Sequence, residues 1–267
     1  MTRFILIALS LLFLGLMVIL PVIAIFHRAF ADGFDAYRAA ILDPETLAAI
    51  RLTVIATLLV LPLNVIFGVA AAWAIARFRF VGRRVLLILI EIPFAVSPIV
   101  AGLCFLLIYG AYGPVGALLE PYGVQLMFNL TGIVLVSAFV TCPFVMREVL
   151  PVLMVTGEDE ELAAVTLGAN GWQIFRHVVL PNISWGLAYG VVLTMARAMG
   201  EFGAVSVVAG AIRGQTMTLP LQIELMYNDY NATGAFAAAT VLTALALVTL
   251  VLRGVLNRFG PKKEAHA

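Results

Sequence analysis

Six long apolar stretches determine what this chain can fold into. They cover residues 4–26, 52–76, 85–109, 126–146, 185–211 and 232–252. Each is about as long as the roughly 20 residues that an α-helix needs to cross a bilayer. Lipid forces every backbone group to pair within its own segment, and the alternation expected of a β-barrel strand is absent. The stretches therefore predict an all-α integral membrane protein with six transmembrane helices.

The composition excludes a soluble globular protein. Hydrophobic residues make up 63% and charged residues 12% of the 267 residues, against roughly 45–50% and roughly 25% in soluble chains. Six crossings use roughly 120 residues, so we expect a single transmembrane domain over 1–267 and no large domain outside the membrane. The net charge of +1 gives no indication of nucleic-acid binding, and the absence of an H-E-x-x-H pattern predicts no metal site.

The first stretch has a second interpretation. Arg3 precedes it, and Ala29, Phe30 and Ala31 resemble the cleavage site of a secretory signal. The apolar region of such a signal is about 7–15 residues long, and the stretch 4–26 is longer. We therefore expect it to be a membrane span.

The positions of arginine and lysine predict the orientation. An even number of spans places both termini on one side, and that side carries Arg3, Arg77, Arg79, Arg83, Arg84, Arg147, Arg176, Arg253, Arg258, Lys262 and Lys263. The opposite side carries Arg28, Arg38, Arg51 and Arg213. Because positive residues concentrate on the cytoplasmic side of membrane proteins, both termini are predicted to be cytoplasmic.

The longest hydrophilic segment on the predicted cytoplasmic side covers residues 147–184, which we call the coupling loop. Acidic residues at 158–161 favour the first turn of a helix, and Gly168 is placed to end that helix. An apolar face resumes at Ile174, and Pro181 is predicted to stop the second helix. Two short amphipathic helices suit insertion into a groove on a partner. From periodicity alone, a loop that lies on the membrane surface is an equal alternative.

The coupling loop also contains a spaced motif. Glu161, Leu162, Ala163 and Ala164 are followed after three residues by Gly168, and after nine more by Val178, Val179, Leu180 and Pro181. This order resembles the EAA motif of bacterial ATP-binding-cassette importer permeases, with Leu162 placed as in the oxyanion-importing branch and Val178 in place of isoleucine. The resemblance implies that the residues that couple this chain to an ATPase are Glu161, Ala163, Ala164, Gly168, Val178, Leu180 and Pro181.

Other segments extend the resemblance over nearly the whole chain. Residues 197–204 read Arg-Ala-Met-Gly-Glu-Phe-Gly-Ala, which is similar to sulfate and molybdate permeases. Residues 212–221 and 227–231 resemble the W-type permease of sulfate/thiosulfate importers. The resemblance implies a type I importer permease fold, a multi-pass location in the bacterial inner membrane, and sulfate or thiosulfate as substrate, with molybdate or tungstate as the alternative. The implied partners are a second permease chain of the T type, two copies of an ATP-binding subunit and a periplasmic sulfate/thiosulfate-binding protein.

The sequence provides no ATPase site of its own. A phosphate-binding P-loop requires Gly-Lys followed by Ser or Thr, and the lysines of the chain, Lys262 and Lys263, follow Pro261. ATP and Mg²⁺ are therefore expected in the partner subunit, and no cofactor on this chain. The alternative of a membrane-embedded enzyme lacks a catalytic constellation, so no catalytic residue is predicted. An ion-coupled secondary transporter would typically show duplicated halves, which are not evident here.

Two charged residues fall inside the predicted fifth span. Arg197 lies about 12 residues from its start, roughly 18 Å deep at 1.5 Å per residue, and Glu201 follows on the same helical face. One interpretation is a structural ion pair that fixes helix packing. The other is a cationic element beside the path of a dianion, with Gly200 and Gly203 allowing close backbone approach. The sequence leaves both interpretations open.

Overall fold

The computed structural model describes residues 2–259, and within that range it contains helices and no strand. Lys262 and Lys263, which entered the predicted orientation, lie outside the described residues. The α-helices are α1 (Thr2–Leu14), α2 (Leu20–Ala29), α3 (Phe34–Leu42), α4 (Pro44–Arg77), α5 (Arg83–Ala95), α6 (Pro98–Tyr109), α7 (Pro114–Leu119), α8 (Leu130–Thr156), α9 (Asp159–Thr166), α10 (Gly171–Ile174), α11 (Leu180–Met199), α12 (Gly203–Ala209), α13 (Leu219–Asn228) and α14 (Ala232–Phe259). π turns at Gly15–Ile19 and Phe175–Val179 join α1 to α2 and α10 to α11.

Six helical segments of the described chain are long and apolar enough to cross a membrane. They are Arg3–Ala29, Pro44–Arg77, Pro98–Tyr122, Leu130–Thr156, Gly171–Met199 and Ala232–Leu256. Their number and order confirm the predicted all-α protein with six spans. The cytoplasmic location of the termini stays a prediction.

The predicted third span, 85–109, is wrong as a single helix. α5 ends at Ala95, and Val96 and Ser97 are extended, each with ψ of 134°. α6 begins at Pro98, which has no N–H and pushes the preceding residue away from the helical region. The span in this part of the chain is therefore Pro98–Tyr122, and α5 precedes it as a separate helix.

The predicted fourth span, 126–146, ends too early. α8 continues to Thr156 through Arg147 and Glu148, which lower the hydropathy of the sequence without breaking a helix. Arg147 is exposed, and its guanidinium carbon lies 5.0 Å from the centroid of the Phe94 ring, a cation–π distance. The first ten residues of the coupling loop therefore belong to α8.

The predicted fifth span, 185–211, both starts and ends too late. Its helical segment is Gly171–Met199, so Pro181 does not stop the second loop helix as predicted. Pro181 lies in the first turn of α11, directly after the π turn, where the hydrogen-bond pattern changes and the missing N–H of proline is tolerated. At the other end, the helix stops at Met199, and α12 is a separate short helix.

The described residues pack as two compact units, and the single domain expected over 1–267 stays a prediction. One unit comprises residues up to Thr53 together with Ala211–Ala246, and the other comprises Val54–Gly210 and the residues from Leu247. In the first unit, the Arg213 guanidinium lies 2.7 Å from an Asp229 carboxylate oxygen and 3.8 Å from one of Glu45. The second unit contains the coupling loop and Arg197.

The core of the second unit depends on close contact between α8 and α11. A Cβ added to Gly190 would lie 2.8 Å from the Cα of Val145, and one added to Gly186 would lie 2.9 Å from the carbonyl oxygen of Glu148. Small residues four positions apart allow helices to approach in this way. The buried side chains around this contact are Val145, Met146, Val149, Leu153, Ile174, Val179 and Ile183.

Replacing Gly190 with valine is expected to destabilise the protein, because the new side chain would meet the backbone of α8. Overpacking of this kind lowers the free energy of unfolding by about 1–3 kcal/mol, which thermal unfolding in detergent can measure. Gly254→Val is the matched control, since a Cβ on Gly254 of α14 meets nothing within 4 Å. Equal losses in the two variants would contradict the packing described here.

Candidate functional site

The first helix of the coupling loop ends in a glycine cap. Asp159, Glu160 and Glu161 occupy the first turn of α9. Gly168 has φ of +83°; its N–H donates to the carbonyl of Val165 at 2.9 Å, and the N–H of Ala169 donates to that of Ala164 at 3.0 Å. These two bonds form a Schellman motif. The backbone geometry predicted for Gly168 is therefore present, whereas its role in coupling stays a prediction.

The second loop helix starts at a capping box that the sequence analysis missed. The Asn170 side chain accepts from the N–H of Gln173 at 3.0 Å, and the Gln173 side chain accepts from the N–H of Asn170 at 2.8 Å. Asn at the N-cap followed by Gln at the third helical position is the sequence signal for this arrangement. The two caps together fix the bend between α9 and α10.

Glu161 of the motif pairs with an arginine of its own chain. Arg77 Nε lies 2.6 Å from Glu161 Oε1, and the side chains are 9% and 16% exposed. The other guanidinium nitrogens of Arg77 donate to the carbonyls of Leu153 at 2.9 Å and Gly157 at 2.5 Å. Trp73 Nε1 donates to Glu161 Oε2 at 3.4 Å. The carboxylate of Glu161 therefore points towards α4 and away from the loop surface.

Further contacts hold the two loop helices against the spans. The Asn182 amide donates to Glu160 Oε2 at 2.5 Å, which links the start of α11 to α9. The ring centroids of Trp73 and Phe175 lie 5.4 Å apart, and those of Phe175 and Trp172 lie 5.7 Å apart. The loop is thus anchored by both polar and aromatic contacts to its own chain.

The remaining motif residues divide into inward and outward positions. Ala164, Val178 and Leu180 are half-buried and pack against the core. Ala163, Gly168 and Pro181 are exposed. The loop also carries large exposed apolar side chains, which we call the apolar ridge: Leu162, Val165, Leu167 and Trp172. An exposed apolar patch of this kind, on a loop and the first turn of the helical segment that follows it, is typical of a surface that binds another protein.

The predicted ion pair of Arg197 and Glu201 is present. Arg197 lies in the last turn of α11, not in the middle of a span, and one of its terminal nitrogens lies 2.6 Å from Glu201 Oε2. That contact is off the hydrogen-bonding direction, so it is an ion pair without an aligned hydrogen bond. The Glu201 side chain is 1% exposed and that of Arg197 is 35% exposed.

Glu201 also caps the next helix. Its Oε1 accepts from the N–H of Ala204 at 3.0 Å, so the carboxylate holds the start of α12. The guanidinium of Arg197, by contrast, makes no other ion pair or hydrogen bond within the described part of the chain, and it is partly exposed. The pair thus has a buried structural partner and a partly exposed cationic partner.

The two glycines beside this pair differ. A Cβ on Gly203 would lie 3.2 Å from both Pro98 Cβ and Ile99 Cγ1, so α12 approaches α6 closely there. A Cβ on Gly200 would come no closer than 3.7 Å to the Ala196 carbonyl oxygen. Close helix contact within the chain therefore occurs at Gly203 and not at Gly200, and the approach of an anion to either glycine stays a prediction.

Sequence reasoning did not identify Arg77 as part of this region. Arg77 is one of several arginines that predict orientation, and it is also the residue that binds Glu161. The two are 84 positions apart, and nothing in either local sequence connects them. The positions of Arg77 and Trp73, one turn apart at the end of α4, become informative once the helix is seen to end beside the loop.

Comparisons with known proteins show the family to which the chain belongs. Residues 64–262 match the family described as binding-protein-dependent transport system inner membrane component. The chain is 52% identical over 255 residues to the sulfate transport system permease protein CysW of Escherichia coli (strain K12), which covers 96% of this chain and 88% of that protein. It is 36% identical over 258 residues to the CysT permease of the same organism, with 96% and 93% covered.

Solved structures share the fold at low sequence identity. The chain matches a bacterial ABC transporter involved in the import of alginate with a TM-score of 0.79 at 16% identity, covering 97% of this chain and 96% of that one. It matches an amino acid ABC transporter with a TM-score of 0.52 at 20% identity, covering 81% and 92%. The importer permease fold implied by the motif is thereby confirmed. This multi-pass chain belongs to the family of binding-protein-dependent transport system inner membrane components, within the group of sulfate transport system permeases.

Proposed function

We propose that this chain is a permease subunit of an ATP-driven sulfate/thiosulfate importer of the bacterial inner membrane. The observation that carries the proposal is the coupling loop, which presents an apolar ridge beside a Schellman bend. The loop is held to the spans by the ion pair of Glu161 with Arg77 and by the contact of Phe175 with Trp73. Such a surface suits a groove on a partner ATPase. The substrate assignment rests on the 52% identity to a sulfate transport system permease.

The chain would form half of a translocation pathway and have no transport activity alone. The partners we propose are a T-type permease, two copies of an ATP-binding subunit that hold ATP and Mg²⁺, and a periplasmic sulfate/thiosulfate-binding protein. The similarity to a CysT permease and to an alginate transporter solved with its periplasmic protein supports such an assembly. ATP-driven closure of the ATPases would move the coupling loop and tilt the spans between inward-open and outward-open states.

Arg197 is the residue we propose beside the path of the anion. Its guanidinium is 35% exposed and has nitrogens that donate to no residue within 2–259, so it can offer hydrogen bonds to an oxyanion. Glu201 offsets part of the charge, which suits a surface that must release its substrate. Tight capture of the dianion would instead belong to the periplasmic protein.

The assembled importer is expected to hydrolyse ATP faster with sulfate-loaded or thiosulfate-loaded binding protein than with the empty protein. This chain, reconstituted in lipid with the four partners, permits the measurement with each anion in turn, and phosphate serves as the control. Stimulation by molybdate alone would replace the sulfate assignment with a molybdate importer. A complete lack of response to any oxyanion would contradict the importer function itself.

A further inference from the structure

Arg77 lies where three parts of the second unit meet. It is the last residue of α4, and its guanidinium contacts the carboxylate of Glu161 in α9, the carbonyl of Leu153 in the last turns of α8, and the carbonyl of Gly157 just beyond that helix. A single side chain therefore connects the ends of two spans to the first helix of the coupling loop.

The carbonyls that Arg77 binds are ones that the end of α8 leaves unpaired. The last four carbonyls of a helix have no partner within it, and a cation near that end is stabilised by the helix dipole. Arg77 is 9% exposed, and every guanidinium nitrogen has an acceptor within 2.9 Å. A buried charge is tolerated when it is paired and fully hydrogen-bonded in this way.

Glu161 is equally committed to its own chain. Its Oε1 receives Arg77 and its Oε2 receives the indole N–H of Trp73. A carboxylate with both oxygens engaged, in a side chain that is 16% exposed, is not free to pair with a residue of another subunit. The surface that remains for the ATPase is the apolar ridge, whose side chains are exposed.

We propose that Arg77 is a positioning residue that fixes α9 to the ends of α4 and α8, so that displacement of the apolar ridge by the ATPase moves these spans together. The proposal rests on the function proposed above and adds to it the residue that transmits the movement. Glu161 of the motif then acts inside the permease, as the partner of Arg77, and not in the contact with the ATPase.

An arginine is required at this position. The guanidinium places nitrogens in a rigid planar fork that reaches three acceptors on different segments at once. The ammonium of a lysine keeps the charge but presents it at one point, so it can satisfy Glu161 and must release at least one carbonyl. Arg77→Lys therefore retains the ion pair with Glu161 while weakening the hydrogen bonds to the end of α8. The variant distinguishes the effect of the positive charge from the effect of the link between the helices.

The test measures sulfate uptake per ATP hydrolysed by the complete importer in proteoliposomes. Arg77→Gln is expected to lower this ratio about tenfold or more and Arg77→Lys several-fold, while ATP hydrolysis continues. Cross-linking to the ATPase from a cysteine at Val165, on the apolar ridge, should be retained in both. Arg79→Gln is the matched control, because Arg79 is exposed two residues away and takes part in no ion pair within 2–259.

The pair of variants at both ends of the contact adds an independent measurement. Glu161→Gln should also lower the ratio, and combining it with Arg77→Gln should cause no further loss, since residues that act through one contact are not additive. Independent, multiplying losses would overturn the proposal, as would an unchanged ratio in Arg77→Lys and Glu161→Gln.

Equal losses of uptake, hydrolysis and cross-linking would show a purely structural role and also overturn it. Failure of the unaltered complex to respond to sulfate would contradict the proposed function instead.

Discussion

Replacement of Gly168 with aspartate is expected to abolish uptake because the ATPase no longer binds, while the permease still inserts into the membrane. A Cβ at Gly168 would meet nothing within 4 Å, so the substitution causes no clash inside the chain. The positive φ of +83° costs an L-residue roughly 1–2 kcal/mol, and less for Asn or Asp. That strain alone would weaken the bend without destroying it.

The larger effect of the aspartate comes from its charge. Gly168 is exposed next to Leu167 of the apolar ridge, and it follows the acidic first turn of α9. A partner groove that covers the ridge would also have to cover the new carboxylate, and an unpaired buried charge is strongly unfavourable. Binding of the ATPase should therefore be lost even though the loop helices are retained.

Two control variants separate strain from charge. Gly168→Asn has nearly the same shape and tolerance for the left-handed region but no charge, so it should retain a substantial part of the uptake. Gly123→Asp introduces the same residue at φ of +70° with open space around the Cβ, outside the coupling loop, and should transport normally. Cross-linking from a cysteine at Val165 reports ATPase binding. Wild-type cross-linking and uptake in Gly168→Asp would contradict the role assigned to this loop.

The single variant Arg197→Met is expected to impair folding and assembly more than the double variant Arg197→Met with Glu201→Gln. The Glu201 side chain is 1% exposed, and removal of its cationic partner would leave a buried carboxylate uncompensated, which costs about 3–5 kcal/mol. The double variant removes both charges, and the amide oxygen introduced by Glu201→Gln can still accept from the N–H of Ala204. An apolar or neutral replacement of a buried pair is often tolerated.

Assembly and uptake measured together distinguish the two roles of the pair. Size-exclusion profiles of the detergent-solubilised complex report assembly, and Arg84→Met, an exposed arginine with no ion pair within 2–259, serves as the control. A double variant that assembles normally but transports poorly would support Arg197 as part of the anion pathway. Normal uptake by the double variant would eliminate that role, and normal assembly of the single variant would contradict the importance of the buried carboxylate.

Much of the fold follows from local properties of the sequence. The number and order of the spans come from hydropathy, because each apolar run carries its own signal. The bend at Gly168 follows from the same kind of reasoning, since an acidic turn, an apolar face and a glycine are read within a dozen residues. The spacing of four between Arg197 and Glu201 also predicted their pairing, although α11 ends at Met199 and Glu201 lies just beyond it.

The errors arise where hydropathy does not describe the backbone. Val96 and Ser97 are apolar or small, so hydropathy gives no sign of the helix break that Pro98 creates in the residues before it. Arg147 and Glu148 interrupted the apolar run, although α8 continues through them. Pro181 predicts a helix stop, whereas the π turn before it lets the helix continue. In each case hydrogen bonding and sterics decide the outcome, not polarity.

The contact between Arg77 and Glu161 could not be predicted for a different reason. It joins residues that are distant in the sequence, and it forms because α4 and α8 end at the same level beside α9. Arginines at the cytoplasmic ends of spans are common, so the residue type carries no signal for a specific partner. Only the three-dimensional arrangement selects Arg77 over Arg79, Arg83 and Arg84.

Residues Gly171–Met199 form one continuous helical segment, which links the surface proposed to bind the ATPase to the proposed anion path. Trp172, at one end, belongs to the surface proposed to meet the ATPase, and Arg197 lies in the last turn at the other end, about 40 Å away at 1.5 Å per residue. A rotation or axial shift imposed at Trp172 would reach the guanidinium along this one helical segment, without crossing a contact between separate helices. The nucleotide state of the ATPase would then set the position of Arg197, the cation proposed beside the anion path, by displacing the segment that carries it.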